Sequence, residues 1–146
     1  MNPQHQISKE TIAQEFNELV KGKMEQGLID EAVESLFGTA TAYPATLNIV
    51  ELVLHLKYQI HITEPTGKTF NGDAFEAATP GAGVVPGQVF TPNLNKLYRD
   101  TEAFVWSATP VFTGLYFMTS KGGLLGHAQF GSTVVLGGGA GKGHWS

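Results

Sequence analysis

Residues 101–136, TEAFVWSATPVFTGLYFMTSKGGLLGHAQFGSTVVL, constrain this chain more than any other stretch. They fall into short apolar runs separated by Pro110 and by Ser120-Lys121-Gly122-Gly123, the pattern of consecutive hairpin strands. Val111–Met118 is apolar on both faces, with Val111, Leu115 and Phe117 on one and Phe112, Tyr116 and Met118 on the other. Such a strand is either buried on both sides or presents an aromatic patch. In the run that follows, Leu124, Gly126, Ala128 and Phe130 share a face. The small members suit a position opposite bulky rings in a narrow interior. The stretch therefore needs the wall of a closed or doubly layered sheet.

The remaining strands follow from alternation and turn chemistry. Leu47–Thr63 changes parity once near Asn48–Val50. That change predicts a β-bulge, or a helical start over Val50–Leu54, ahead of a clean apolar-in, polar-out strand from Leu54. Glu64-Pro65-Thr66-Gly67 reads as a turn and Lys68–Phe75 as the return strand, with Asn71-Gly72 a tight turn or a bulge. Thr79–Gly87, TPGAGVVPG, reads as loop. Gln88–Phe90 is then a short strand, Thr91–Asp100 a two-turn helix across one barrel end, Thr133–Leu136 a last short strand, and Gly137–Ser146 a glycine-rich tail. The total is about seven or eight strands, the count at which side chains just fill a small barrel. An immunoglobulin-type sandwich is the structural rival.

The region before this domain differs in kind. Ser8 is a plausible N-cap for a stripe of Ile12, Phe16, Leu19 and Val20, and Gly27 a break. A second stripe runs through Leu28, Ile29, Ala32, Val33, Leu36 and Phe37 to Gly38. Residues 1–44 are therefore assigned to a helical arm and linker, and 45–146 to the β domain. Up to Gly38 the chain carries three lysines against seven acids, whereas the rest is balanced, so the net charge of −4 belongs to the arm. An acidic arm on a neutral domain argues against nucleic acid, which asks for a basic stripe. Membrane-surface helices usually carry basic polar faces. The arm is accordingly expected to cover an apolar face of the sheet or to pair between subunits in a homo-oligomer. No apolar run approaches the roughly 20 residues of a spanning helix, and MNPQHQISKE lacks the layout of a secretory signal.

Catalytic chemistry finds little to work with. There is no cysteine, hence no disulfide, thiolate metal site or cysteine nucleophile. GGGAGKG near the end is not a phosphate loop: Leu136 stands where its first glycine belongs, Gly143 where serine or threonine belongs, and no helix can follow. The five histidines lack zinc spacing. His55 and His61 lie about 20 Å apart along one strand face, and His127 sits beside Gln129 on a polar face. Glu51, Glu64, Asp73, Glu76, Asp100 and Glu102 fall at turns and strand ends, which suits solvated edges better than a buried acid–base pair. No G-x-S-x-G elbow is present.

Several pieces, in order, resemble the virulence-associated protein (Vap) family of Rhodococcus-type intracellular pathogens. They are Tyr58-Gln59, Phe70-Asn71-Gly72, the loop at Pro80–Gly87, and Asn93-Leu94 with Leu97–Thr101. Ser107–Val111, Leu125-Gly126-His127 with Gln129 and Gly131, and the closing glycines with Trp145 complete the set. The resemblance implies a mainly β protein: a compact eight-stranded antiparallel β-barrel of two Greek-key motifs with one short helix. It implies secretion, no established enzymatic activity, no cofactor, and action on host endolysosomal membranes or compartments. The functional expectation is a non-enzymatic effector-like barrel that contacts host membrane lipids or a protein partner. Phe112, Tyr116 and Met118, with Phe16, Leu36 and Phe37 of the arm, are the candidate surface contacts. The alternative is a hollow barrel carrying a small apolar ligand, and an enzyme in the barrel mouth ranks third.

Overall fold

The computed structural model describes residues 9–21, 26, 27, 29, 30, 34, 41–52, 55–63, 67–74, 81–133 and 135–146. Eight strands form one closed antiparallel barrel: β1 (Thr41–Leu52), β2 (His55–Ile62), β3 (Thr69–Ala74), β4 (Gly81–Thr91), β5 (Ala103–Ala108), β6 (Phe112–Met118), β7 (Leu124–Gly131) and β8 (Gly137–Trp145). Around the barrel the order is β1-β2-β3-β8-β5-β6-β7-β4, which excludes the open sandwich. Two helices complete the described elements. α1 (Lys9–Val20) precedes the barrel, and α2 (Leu94–Asp100) joins β4 to β5.

The inner faces are hydrophobic and ring-rich. Tyr58, Phe70, Phe104, Trp106 and Phe117 are fully buried, and Trp145 nearly so. Phe70 is the hub, with ring centroids 5.5 Å from Phe104, 5.0 Å from Phe117 and 5.4 Å from Trp145. Edge-to-face and tilted pairs at these separations are the favourable geometries for aromatic rings. Such rings leave no room for bulk on the strands they lean against. A methyl group built on Gly141 would come within 2.7 Å of Phe104 Cζ, and one on Gly143 within 2.6 Å of Phe70 Cζ. The glycine-rich end of the chain, read as a tail, is therefore the last barrel strand, and Thr133, Val135 and Leu136 before it are not in a strand.

Three further expectations are corrected. The parity change after Leu47 is neither a bulge nor a helix start. β1 and β2 are separate strands of a hairpin in which Leu52 pairs with His55. The chain reverses between Leu52 and His55, and the sequence there carries no Gly, Pro, Asn or Asp to announce a turn. Consequently Ile49 and Glu51 face inward while Val50 faces out. Second, the stretch TPGAGVVPG is not loop throughout: from Gly81 it is β4, paired with β1 from Thr41 to Glu51. Pro44 and Pro86 are tolerated because each lies one residue outside the ladder on its other side, which begins at Ala45 for β1–β2 and at Gly87 for β4–β7. A missing N–H costs nothing there. The same pairing makes residues 41–44 strand rather than linker. Third, Asn71-Gly72 runs straight through β3.

The expected helix at Thr91–Asp100 is present as α2. The Asn93 side chain accepts from the Lys96 amide at 3.0 Å, and the Thr101 hydroxyl donates to the Leu97 carbonyl at 2.6 Å, closing both ends. Leu97 enters the core and Tyr98 packs on Trp145, so α2 lies over one barrel end. In the arm, Gln26, Gly27, Ile29, Asp30 and Glu34 are helical, so Gly27 is not a break; Ser8, Leu28, Leu36 and Phe37 lie outside the described residues.

Candidate functional site

The doubly apolar β6 is buried on both sides. Thr113, Leu115 and Phe117 point into the barrel, and Phe112, Gly114, Tyr116 and Met118 point out, where α1 packs on Tyr116 and Met118. The spacing of Ile12, Ala13 and Phe16 puts all three on one side of α1. With Ile29 they form a second hydrophobic cluster against Val105, Tyr116 and Met118. The Phe16 and Tyr116 rings are 5.1 Å apart, and Phe16 has no exposed surface. Burying such a ring contributes about 2 to 3 kcal/mol.

Polar groups fix how the helix sits. The Tyr116 hydroxyl lies 2.9 Å from Glu15 Oε1 and 3.3 Å from the Ile12 carbonyl, and donates to both. Burial pushes the Glu15 carboxyl above its ordinary value, against the opposing pull of hydrogen bonds from Tyr116 and Ser107. Burial, and then the Glu15 charge, push the Tyr116 phenol upward, so it stays a neutral donor. The stack continues across the wall: Tyr116 lies 6.2 Å from His127, which stacks on Phe90 at 4.9 Å and 11°. Four rings thus run from the arm across β6 and β7 to β4.

Of the six candidate contact residues, the structure brings Phe16, Tyr116 and Met118 into this one cluster. Phe112 is buried on the same outward face, beside the backbone of Gly114 and near Glu15. Leu36 and Phe37 lie outside the described residues. None of these groups is a nucleophile or paired acid and base, and no group of three or more ligating side chains among the described residues could hold a metal. What the junction can do is hide or present an apolar surface.

A second feature was missed. Glu51, expected on a solvated edge, is 5% exposed and faces the barrel interior. Both of its carboxylate oxygens lack a hydrogen-bond partner, as do Tyr58 Oη, Trp106 Nε1 and Thr113 Oγ1, all inward-facing. Burial lifts the Tyr58 phenol well above its usual value, and the Glu51 charge acts the same way. Trp145 Nε1 is likewise unpartnered, so buried polar groups are scattered among the interior rings. The signal that could have found Glu51 was the alternation from Leu47 and Ile49, which carried on by one more step puts Glu51 on the inner face.

The opposite outer wall is a polar grid on β2, β3 and β8. His55 Nε2 meets Asp73 Oδ1 at 2.8 Å, Gln59 donates to Asn71 at 3.0 Å, and His61 bonds to Thr69 at 3.0 Å. His55 and His61 thus have separate partners on β3 and share nothing. A shallow trough there is lined by Asn71, Asp73, Ala140, Lys142 and His144.

Comparison with known proteins follows the fold. The family model described as Rhodococcus equi virulence-associated protein matches residues 2–146. Among solved structures, virulence-associated protein VapB from the intracellular pathogen Rhodococcus equi is 34% identical, with 74% of this chain and 98% of that chain covered and a TM-score of 0.69. Virulence-associated protein VapD from the same intracellular pathogen is 32% identical, with 75% and 100% covered and a TM-score of 0.70. No curated protein matches the chain.

Proposed function

The chain belongs to the Rhodococcus equi virulence-associated protein family, and from that premise we propose that it is a secreted, non-enzymatic effector acting by surface contact with a host membrane or a host protein. One observation carries the reading: an apolar patch on the outside of a complete barrel, at Val105, Tyr116 and Met118, is kept from water by the arm, through α1 and Ile29. A closed barrel needs no such cover for its own core. If α1 swings away, it uncovers two apolar surfaces together, the patch and the stripe of Ile12, Ala13 and Phe16. Contact then rests on apolar area and not on charge, because the arm is acidic.

The carrier reading has less support. Tyr58, Phe70, Phe104, Trp106, Phe117 and Trp145 occupy the space an apolar ligand would need. For the membrane version the test is co-sedimentation of the full chain with phosphatidylcholine vesicles and with vesicles containing phosphatidylserine. Binding to both is expected, weaker to the anionic set at low salt, and reduced by Phe16→Asp. Absence of binding to either set removes the membrane version and leaves a protein partner.

A further inference from the structure

The barrel interior buries hydrogen-bonding groups from two facing walls. Glu51 Oε1 and Oε2, Tyr58 Oη, Trp106 Nε1 and Thr113 Oγ1 have no protein partner, and none of the four residues is more than 5% exposed. They belong to the hairpins β1–β2 and β5–β6, which stand opposite one another in the closed strand order. Register brings them toward one end. Ile49 pairs with Tyr58, and Glu51 is the next inward residue of β1. Ala108 pairs with Thr113, and Trp106 is the next inward residue back along β5. Across the interior the Tyr58 and Trp106 rings lie 5.7 Å apart, and the Glu51 charge acts on the Tyr58 phenol. Ala108 and Gly139, the inward neighbours of Trp106, are small. The link from β7 to β8 crosses this end, running from beside Phe112 to beside Ala108, and buries Val135 in the core.

We propose that Glu51, Tyr58, Trp106 and Thr113 form an internal hydration site and that its ligand is water. Hydrogen-bond chemistry selects the occupant. The Trp106 N–H can only donate, the Tyr58 and Thr113 hydroxyls each carry a proton to donate, and the Glu51 carboxylate can only accept. The occupant must therefore accept from the first three groups and donate to the last. A metal cation leaves the Trp106 N–H unmet, and an anion is repelled by Glu51. The remaining class is a neutral molecule that both donates and accepts, and the rings that fill the interior hold it to the size of water. A buried water makes about three hydrogen bonds to such groups, so five orphaned atoms call for roughly two waters. Water also offsets part of the cost of burying a carboxylate without an ion-pair partner. An apolar residue at position 51 removes that cost and the water together.

Water-selective nuclear and rotating-frame Overhauser spectra of the nitrogen-labelled full chain read the site at the Trp106 indole N–H. Its signal is told apart from that of Trp145 by the one that disappears in Trp145→Phe. The expected result is a water cross-peak to the Trp106 N–H, of opposite sign in the two spectra, the mark of a bound water and not of proton exchange. It should be lost in Glu51→Leu and weakened in Thr113→Val, while the indole signal itself persists. A wild-type chain whose Trp106 N–H shows no such cross-peak overturns the proposal. So does a cross-peak that keeps its full intensity in both variants, which puts the water elsewhere.

Discussion

The Tyr116 hydroxyl donates to Glu15 Oε1 across 2.9 Å, and this bond ties a helix of the arm to the barrel wall. Glu15 carries a carboxyl held above its ordinary value of 4.5, principally by burial. Such a group binds its proton more tightly in the docked state than in the undocked one. Its contribution to docking is therefore fully present below the undocked value and is lost as pH rises through the docked value. A spin label at Gln14→Cys, on the exposed side of α1, should be most immobilised at acidic pH and loosen as pH rises. Glu15→Gln should flatten that dependence; a wild-type label whose mobility ignores pH would contradict the assignment.

Phe16 and Phe117 should separate docking from folding. Phe16→Ala removes a ring from the arm junction and should weaken docking by about 2 to 4 kcal/mol. The barrel's own melting temperature should barely move. Phe117→Ala opens a hole among the interior rings and should destabilise the whole barrel by about 3 to 5 kcal/mol. Urea titrations followed by near-ultraviolet dichroism, whose signal comes largely from the buried rings, distinguish the two. Equal losses would mean that the arm and barrel unfold as one unit.

Glu51 should be a liability for stability. Buried polar oxygens with no protein hydrogen-bond partner are costly, and replacing them by an apolar side chain relieves that cost. Glu51→Leu, which removes both buried oxygens, is expected to raise stability by about 1 to 3 kcal/mol. A loss of similar size would show that the carboxylate has work to do in the folded protein.

The last strand makes a steric prediction. Gly141→Ala and Gly143→Ala each push a methyl group against Phe104 or Phe70 and against the β3 backbone, and should cost about 1 to 3 kcal/mol. Gly138→Ala, at an exposed position of the same strand, is the control and should be near neutral. Matching behaviour at all three sites would argue against the interior placement of residues 141 and 143.

How far the chain could be read depended on whether local chemistry agreed with tertiary pairing. β6 was legible because every residue is apolar or small, and both of its faces are covered. α2 was legible because Pro92 and the Asn93 cap are local helix-start signals that the fold keeps. β4 was hidden by glycines and prolines that ordinarily end strands, and became possible only through its long pairing with β1. Glu51 was hidden because β1 and β2 form a hairpin, Leu52 paired with His55, at a point where the sequence has no turn chemistry. The junction was half legible: Phe16, Tyr116 and Met118 were each singled out, but only the folded chain puts them in one cluster.

The central claim, that the arm seals the outward face of β6, is tested most directly by nuclear Overhauser contacts between the Phe16 and Tyr116 rings in selectively labelled full-length protein. Strong cross-peaks are predicted from centroids 5.1 Å apart. Their absence, with the Phe16 ring signals broadened by a soluble paramagnetic agent, would contradict it.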